Sequence, residues 1–367
     1  MQPVPTLASL REDFHALDFP LAASSARPAH ASVRALREKL EAALAGDAFL
    51  LDCIELELQV IDRDEARIGL VPFHVMGGLG VRMSLGYWGP GQATGAHEHN
   101  DWTVTAVCHN ALEVFTYDLD AAREGGHLVQ KNRHAAPAGK AGHIYDPCVH
   151  NPWNPTRAWS MSIHLVGPHD GEVVDGKEPF HARGSQRARF TDRFADHPFA
   201  RCARARQRQA SLRVLSSVLA RSRDLRAPRL LEEVFHRGDL RTRREAHAAL
   251  EALDAARALR LAPALDASRI ESGSRLVMPE PALERAVRAK DGLAELYLDV
   301  PGGEQLALRV GDRAREALET LARETSLVVG DLPGDLDDEE RVELVEALVG
   351  EWALFEVASP SASTSFA

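Results

Sequence analysis

The feature that most constrains the fold of this chain is a series of short strand-like runs separated by turn residues. The series extends from Phe49 to Pro168 and includes FLLDCIELELQVID, GVRMSLGYW, DWTVTAVCHN, ALEVFTYDLD and AWSMSIHLVGP. Each run is apolar or alternates between apolar and polar residues, and Gly, Pro or Asn punctuates the series. Such a pattern is typical of all-β sandwiches and barrels. We therefore predict a mainly β barrel over residues 47–168.

A pair of histidines within this region indicates a metal site. His97 and His99 are separated by one residue in the stretch GQATGAHEHNDWTVTAVCHN. On a strand, such residues face the same side, while Glu98 between them faces away. Imidazole is a ligand for iron, zinc, copper and nickel. His150, in GHIYDPCVHNPWN, is the best candidate for a third ligand.

Two motifs surround these histidines. In the first, Gly91 is followed by five residues and then by His97-Glu98-His99. The second comprises Gly142, Pro147, His150 and Asn154. Together they resemble the two motifs of the cupin family, over roughly residues 70–168. The resemblance implies a double-stranded β-helix barrel that holds one divalent metal.

The first motif departs from the usual cupin pattern at two positions. The glutamate that many cupins place four or five residues after the second histidine would fall at Thr103 or Val104, so it is absent. Asn110 stands where a glycine closes the motif, and asparagine tolerates the left-handed backbone conformation better than most residues. The resulting ligand set is three histidines without a carboxylate.

A cupin site of this composition resembles the thiol dioxygenases, and the cysteine dioxygenase group in particular. YWGPGQATGAHEH is similar to that family's Trp-x-x-Gly run before its histidine pair. SMSIHL is similar to its Ser-x-His segment, which places Ser162 and His164 in the active site. The resemblance implies iron(II) as the metal, although three histidines also suit zinc and nickel. It further implies dioxygen as co-substrate and a thiol of a small molecule or peptide as substrate.

Two active-site side chains of that family lack an aligned equivalent. The family's tyrosine, two residues beyond the histidine of the Ser-x-His segment, would fall at Val166. Tyr87 and Tyr145 are the tyrosines nearest the motifs, and either is a candidate to replace it. Arg67 and Arg82 are candidates to bind a substrate carboxylate.

Outside the barrel the sequence is mostly helical. Residues 1–46 are predicted to form an N-terminal helical segment, with an apolar stripe at helical spacing over 31–45. A linker and amphipathic helices, which would provide a dimer contact, are expected over 169–270. Residues 271–357 have the order of a winged-helix-like domain, and 358–367 have the composition of a disordered tail. The predicted fold class is thus a mainly β cupin barrel with an α-helical and winged-helix-like C-terminal half.

This layout resembles a second cupin group, the bacterial JmjC-type ribosomal oxygenases, which use iron and 2-oxoglutarate. Those enzymes bind iron through His-x-Asp and a distal histidine. His99-Asn100-Asp101 is a His-x-Asp sequence, and with His150 it would form such a site. A third interpretation is a cupin without catalytic activity, a sensor or structural protein that holds zinc or nickel.

Charge and composition narrow the classes of partner. The net charge of −11, from 43 basic and 54 acidic residues, opposes nucleic-acid binding, which normally needs a basic surplus. The sequence has no run of 18 apolar residues and no apolar signal-peptide stretch, so we expect a cytoplasmic protein without membrane contact. Four cysteines without a CxxC pair oppose a zinc-ribbon or disulfide-based fold. The expected partners are the substrate, dioxygen and a second copy of the chain in a homodimer.

Overall fold

The chain divides into two compact units, the first made of Met1–Thr191 and Val214–Val234 and the second of Asp192–Arg213 and Phe235–Ala367. The computed structural model describes residues 5–24, 26–62, 71–118, 128–146, 148–170, 179–181, 196–301, 303–350 and 352–358. Arg67, most of the predicted linker and the predicted tail beyond residue 358 therefore lie outside the described residues. The histidines singled out above all belong to the first unit.

The first unit begins with helices α1 (Leu7–Ala16), α2 (His30–Ala43) and α3 (Asp47–Val60). Thr6 caps α1, because its side chain accepts a hydrogen bond from the backbone N–H of Ser9. Helix α2 confirms the helix predicted over 31–45, and it buries Val33, Leu36 and Leu40. Helices α2 and α3 pack against strands of the barrel and thereby cover one of its sheets.

Helix α3 corrects the sequence prediction, because FLLDCIELELQVID was expected to be the first strand of the barrel. The helix starts directly after Gly46, and Phe49, Leu51, Ile54 and Leu58 are at most 1% exposed. A helix covered on most of its sides has no polar stripe, so its sequence resembles that of a buried strand. The barrel strands instead begin at Pro72.

The strands of the first unit form two antiparallel sheets. They are β1 (Pro72–Val75), β2 (Arg82–Trp88), β3 (Thr103–His109), β4 (Ala111–Tyr117), β5 (Gln130–Pro137), β6 (Ala141–Ile144), β7 (Val149–Trp153) and β8 (Ser160–Val166). One sheet has the order β1-β2-β8-β3-β6 and the other the order β5-β4-β7. Neighbours in space are thus often distant in sequence, as in jelly rolls and cupins. The predicted β architecture is confirmed between Pro72 and Val166.

The larger sheet has one apolar and one polar face. Met83, Val104, Ile163 and Leu165 are fully buried on the apolar face. The opposite face carries the polar side chains of the same strands. The strand register brings them together there, because Ser84 and Thr105 both pair with His164, and Gly86 pairs with Ser162. The sheet therefore turns its hydroxyl and imidazole groups toward one side, where the histidines of the two motifs also lie.

The second half of the chain is helical and then mixed. Helices α4 (Phe199–Leu219), α5 (Ala227–Arg237), α6 (Leu240–Leu253) and α7 (Ala255–Asp266) confirm the helical pattern predicted from about residue 201. They are followed by β9 (Arg275–Val277), β10 (Arg285–Lys290), β11 (Leu293–Val300), β12 (Gly303–Gly311), α8 (Arg315–Arg323), β13 (Ser326–Val328), α9 (Asp338–Gly350) and β14 (Glu356–Val357). The sheets are β10-β11-β12 and β13-β9-β14, and the winged-helix-like arrangement stays a prediction. Among the residues described, no helix has the length and apolar character needed to cross a membrane.

Glu57 on α3 is a buried carboxyl group that links this helix to the larger sheet. Its Oε1 atom accepts a hydrogen bond of 3.1 Å from the hydroxyl of Tyr87. Burial raises the pKa of Glu57 from 4.5 to about 7, against the lowering effect of the Tyr87 bond. The unfolded chain releases this proton at lower pH than the folded chain does. Protonated Glu57 therefore makes its full contribution to the free energy of unfolding below about pH 4.5. This contribution is lost as the pH rises through about 7.

We expect Glu57→Gln, which mimics the protonated carboxyl, to remove this loss. At about pH 8 the variant should gain up to about 3 kcal/mol in free energy of unfolding, and near the pKa of free glutamate it should gain little. Urea unfolding at both pH values measures the difference, with Glu38→Gln on an exposed carboxyl as the control. An equal gain at both pH values would contradict the pKa argument.

Candidate metal centre

A backbone bridge places His97 directly opposite His150. The N–H of each residue donates to the carbonyl oxygen of the other, and both N–O distances are 2.9 Å. Residues opposed in an antiparallel pair project their side chains to the same face. The two imidazole rings consequently lie with their centroids 4.4 Å apart. Gly91 and Gly95, with φ of 68° and 81°, provide the left-handed turns that lead the chain into this bridge.

His99 completes a group of three. Its ring centroid lies 5.2 Å from that of His97 and 5.3 Å from that of His150. One nitrogen from each ring can be chosen so that all three lie within 4.8 Å of one another. In the described part of the chain, no other group of His, Cys, Asp or Glu side chains meets this criterion. The structure thus brings together the three histidines that the motifs single out.

Hydrogen bonds orient two of the three rings so that their Nε2 atoms are available. Nδ1 of His97 lies 2.9 Å from the carbonyl oxygen of Gly95, and Nδ1 of His150 lies 3.1 Å from that of Cys148. A carbonyl oxygen can only accept, so each Nδ1 carries the proton and each Nε2 keeps its lone pair. Nδ1 of His99 lies 3.0 Å from the Oδ2 atom of Asp170, within ion-pair distance but outside hydrogen-bond geometry. Partners of this kind on the non-ligating nitrogen are typical of metal-bound histidines.

The electrostatic surroundings keep two of the rings neutral. Burial, followed by the neighbouring charge of His99, lowers the pKa of His97 to about 4. Burial and the other two histidines lower the pKa of His150 well below its usual value. Neutral imidazole is the form that binds a metal, so no proton has to be displaced from these two rings at neutral pH. The donor set of three imidazoles fits a divalent transition metal such as iron, zinc or nickel.

Ser162 and His164 form a polar chain on the inner face of the larger sheet. Nε1 of Trp88 donates to Oγ of Ser162 at 2.7 Å, and that oxygen lies 2.8 Å from Nε2 of His164. Oγ1 of Thr105 lies 3.1 Å from Nδ1 of the same histidine. Burial, and then the nearby His99 and His97, lowers the pKa of His164 to about 3. A Cβ atom on Gly86 would lie 2.8 Å from both His164 Nε2 and Ser162 Oγ, so glycine makes room for this chain.

The two tyrosines point to other parts of the first unit. The hydroxyl of Tyr87 donates to Glu57, on the sheet face opposite to Trp88 and Ser162. The hydroxyl of Tyr145 donates to the carbonyl oxygen of Pro28 at 2.9 Å, beside the N-terminal helices. Neither hydrogen bond directs a hydroxyl toward the three histidines.

Asp101 is held by backbone amides. Its Oδ1 accepts from the N–H of Trp102 at 2.7 Å, and its Oδ2 accepts from the N–H of His169 at 3.0 Å. The residue is 4% exposed, and a side chain on Gly167 would clash with its carboxylate. The carboxylate is therefore hydrogen-bonded to Trp102 and to the loop after β8. The JmjC-like hypothesis would require it to lie beside His99 and His150.

Asp170 and His181 contact the metal-binding group although no sequence pattern singled them out. Asp170 approaches His99, and Nη2 of Arg82 donates to the backbone oxygen of Asp170 at 3.0 Å. Glu98, which was expected to face away from the pair, is only 1% exposed and accepts from the N–H of Phe180 at 3.1 Å. The next residue, His181, forms a backbone bridge with His97. These contacts join segments that are distant in sequence, so no local sequence motif predicts them.

Asn110 confirms one detail of the sequence prediction. Its φ of 60° places it in the left-handed region at the turn between β3 and β4, where cupins usually have glycine. Its side-chain amide donates to Thr156 Oγ1 at 2.6 Å. The antiparallel sheets and the three-histidine group likewise agree with what the cupin resemblance implies for a metal-binding protein.

Comparison with known proteins gives only partial matches. No protein-family model and no curated protein matches the chain. Among solved structures it is similar to oxalate oxidase in complex with the substrate analogue glycolate, with 20% identity over 24% of this chain and 43% of that chain and a TM-score of 0.21. DMSP lyases match with 17% identity over 28% and 45%, and a TM-score of 0.21.

Bacillus subtilis oxalate decarboxylase, studied for its Mn(II) centres, is a further structural match. Its identity is 15% over 28% of this chain and 23% of that chain, with a TM-score of 0.21. The chain thus spans less than half the length of each of these three structures. Because these similarities are so partial, they do not support any conclusion about the function of the chain.

Proposed function

We propose that this chain is a non-haem iron(II)-dependent cupin oxygenase that oxidises the thiol of a small molecule or peptide. The observation that carries the proposal is the group of His97, His99 and His150, which contains no carboxylate. Each Nδ1 atom faces an oxygen atom of the protein, so the three Nε2 atoms are the natural ligands. The resemblance of the motifs to thiol dioxygenases supports the choice of substrate class.

Each residue of the site would have a distinct role in this reaction. The three histidines would hold iron(II), which supplies the site for sulfur as thiolate and for dioxygen chemistry. The thiol takes up both atoms of dioxygen to give a sulfinic acid, so no external reductant is needed. Ser162 and His164 present a neutral, hydrogen-bonded polar surface next to the site, and Trp88 fixes the serine hydroxyl. Buried Trp88 also helps to keep water away from this surface.

The position of Asp101 favours this proposal over a 2-oxoglutarate-dependent hydroxylase. To serve as a ligand with His99 and His150, Asp101 would have to leave the amides of Trp102 and His169. Both oxygens of a buried carboxylate are satisfied there, and breaking such bonds is costly. A non-catalytic cupin with zinc or nickel remains the alternative from another class. The homodimer, and the absence of nucleic-acid and membrane partners, stay predictions.

Oxygen uptake by iron-loaded protein tests the proposal. The protein is loaded anaerobically with Fe(II) and supplied with cysteine, cysteamine, 3-mercaptopropionate or a peptide with an N-terminal cysteine, each with and without 2-oxoglutarate. We expect uptake with at least one thiol, independent of 2-oxoglutarate, and a sulfinic acid product by mass spectrometry. Uptake only with 2-oxoglutarate would favour the hydroxylase, and tight metal binding without any uptake would favour the non-catalytic cupin.

A further inference from the structure

A fourth histidine lies on the same face as the metal-binding group. His97 forms backbone bridges on both of its sides, with His150 on one side and with His181 on the other. Residues opposed across an antiparallel bridge share a face, so His181 projects to the face on which His97 and His150 meet. The rings of His97 and His181 are nearly parallel, at 12°, with centroids 6.4 Å apart.

A buried carboxylate fixes the segment that carries this histidine. The N–H of Glu98 donates to the carbonyl oxygen of Phe180 at 2.9 Å, and Oε2 of Glu98 accepts from the N–H of Phe180 at 3.1 Å. Phe180 packs against the buried pair of Ala96 and Val149, which flank two of the metal-binding residues. His181 is thus attached to the same backbone that positions His97, through two hydrogen bonds and an apolar contact.

His181 lies next to the metal-binding group and is not one of its members. Its ring centroid lies 6.4 Å from that of His97, and its nitrogens fall outside the set in which all ligand atoms lie within 4.8 Å of one another. Imidazole offers one donor and one acceptor at neutral pH and can therefore bind a carboxylate or an amine.

We propose that His181 is a substrate-binding residue that hydrogen-bonds the polar end of the thiol held at the three-histidine site. The inference rests on the proposed function, and it specifies the substrate class further. The substrate would be a small thiol that carries a carboxylate or amino group a few bonds from sulfur. A thiol with a purely apolar chain would gain nothing from His181.

Thiol binding to cobalt-substituted protein tests this role without turnover. Co(II) reports thiolate binding by its absorption spectrum, and the titrants are 3-mercaptopropionate, cysteamine and ethanethiol. We expect His181→Ala to keep full cobalt content and to weaken binding of at least one of the two polar thiols by about 10-fold. Ethanethiol should bind as it does to the wild-type protein. His181→Asn, which keeps a donor and an acceptor, should recover part of the affinity.

His15→Ala, on an exposed histidine of α1, is the matched control and should change none of the three affinities. A loss confined to 3-mercaptopropionate identifies a carboxylate as the recognised group, and a loss confined to cysteamine identifies an amine. Unchanged affinities in His181→Ala, or equal losses for all three thiols, would overturn the role of His181 alone. Failure of the wild-type protein to bind any thiol would instead overturn the proposed function.

Discussion

Replacing His97 or His150 by alanine is expected to weaken metal binding by more than about 100-fold, since even loss of an outer partner of a metal-bound histidine costs 10- to 100-fold. Each substitution removes one of three converging ligands and leaves the other two without a complete site. Metal analysis by mass spectrometry, on protein purified without added metal, measures the effect. The wild-type protein should contain close to one equivalent of metal, and these variants should contain almost none.

The exposed His15 on α1 provides the control for this experiment, because His15→Ala removes an imidazole that belongs to neither sheet of the first unit. Circular dichroism should show that the His97 and His150 variants keep their strands. Retention of stoichiometric metal in both His97→Ala and His150→Ala would contradict the three-histidine site. Loss of metal in His150→Ala with retention in His97→Ala would point to the His99, Asp101 and His150 set.

Asp101→Ala is expected to leave the metal content unchanged and to lower the free energy of unfolding by about 3 kcal/mol. The reason is that the buried N–H groups of Trp102 and His169 would lose their acceptor, and each unsatisfied buried group costs about 1–3 kcal/mol. Urea denaturation gives the stability, and metal analysis of the same preparation gives the occupancy. The two measurements separate a structural aspartate from a ligand.

Asp146→Ala, on an exposed aspartate, is the control and should change the stability by less than about 0.5 kcal/mol. Loss of metal from Asp101→Ala with unchanged stability would be the opposite of the expected result. That outcome would move the chain to the 2-oxoglutarate-dependent class. It would also mean that the carboxylate leaves the loop after β8 when metal is bound.

The parts of the fold that could be predicted are those with local periodicity. Strands β2, β3, β4 and β8 alternate or are continuously apolar between turn residues, and helix α2 has a single apolar stripe. Helix α3 was predicted wrongly because burial on most of its sides removes that stripe. Which strands pair could not be read from the sequence, since β8 lies between β2 and β3 in the sheet although it is the last of them in the chain.

In the site, too, local sequence patterns predicted some residues and missed those that depend on long-range contacts. His97 and His99 could be paired from alternation alone, and the second motif supplied His150. Asp170 and His181 could not be found, because their contacts depend on long-range bridges and on a loop with no motif of its own. The tyrosines were chosen by nearness in sequence, and alternation along β2 turns Tyr87 to the face opposite Trp88. Nearness along a strand is a poor guide to which side of a sheet a residue faces.

The bridge between His97 and His150 belongs to a ladder of backbone hydrogen bonds that aligns residues 91–97 with residues 150–154, so two of the three ligands depend on that alignment. A slip of one residue along the 149–153 segment would present Val149 or Asn151 in place of His150 and turn the imidazole to the other side. Only the native alignment of the two segments can then bind a metal. A metal ion available while the chain folds would accordingly enrich that alignment by mass action. The ion would thus select the correct strand register during folding, before it takes part in any reaction.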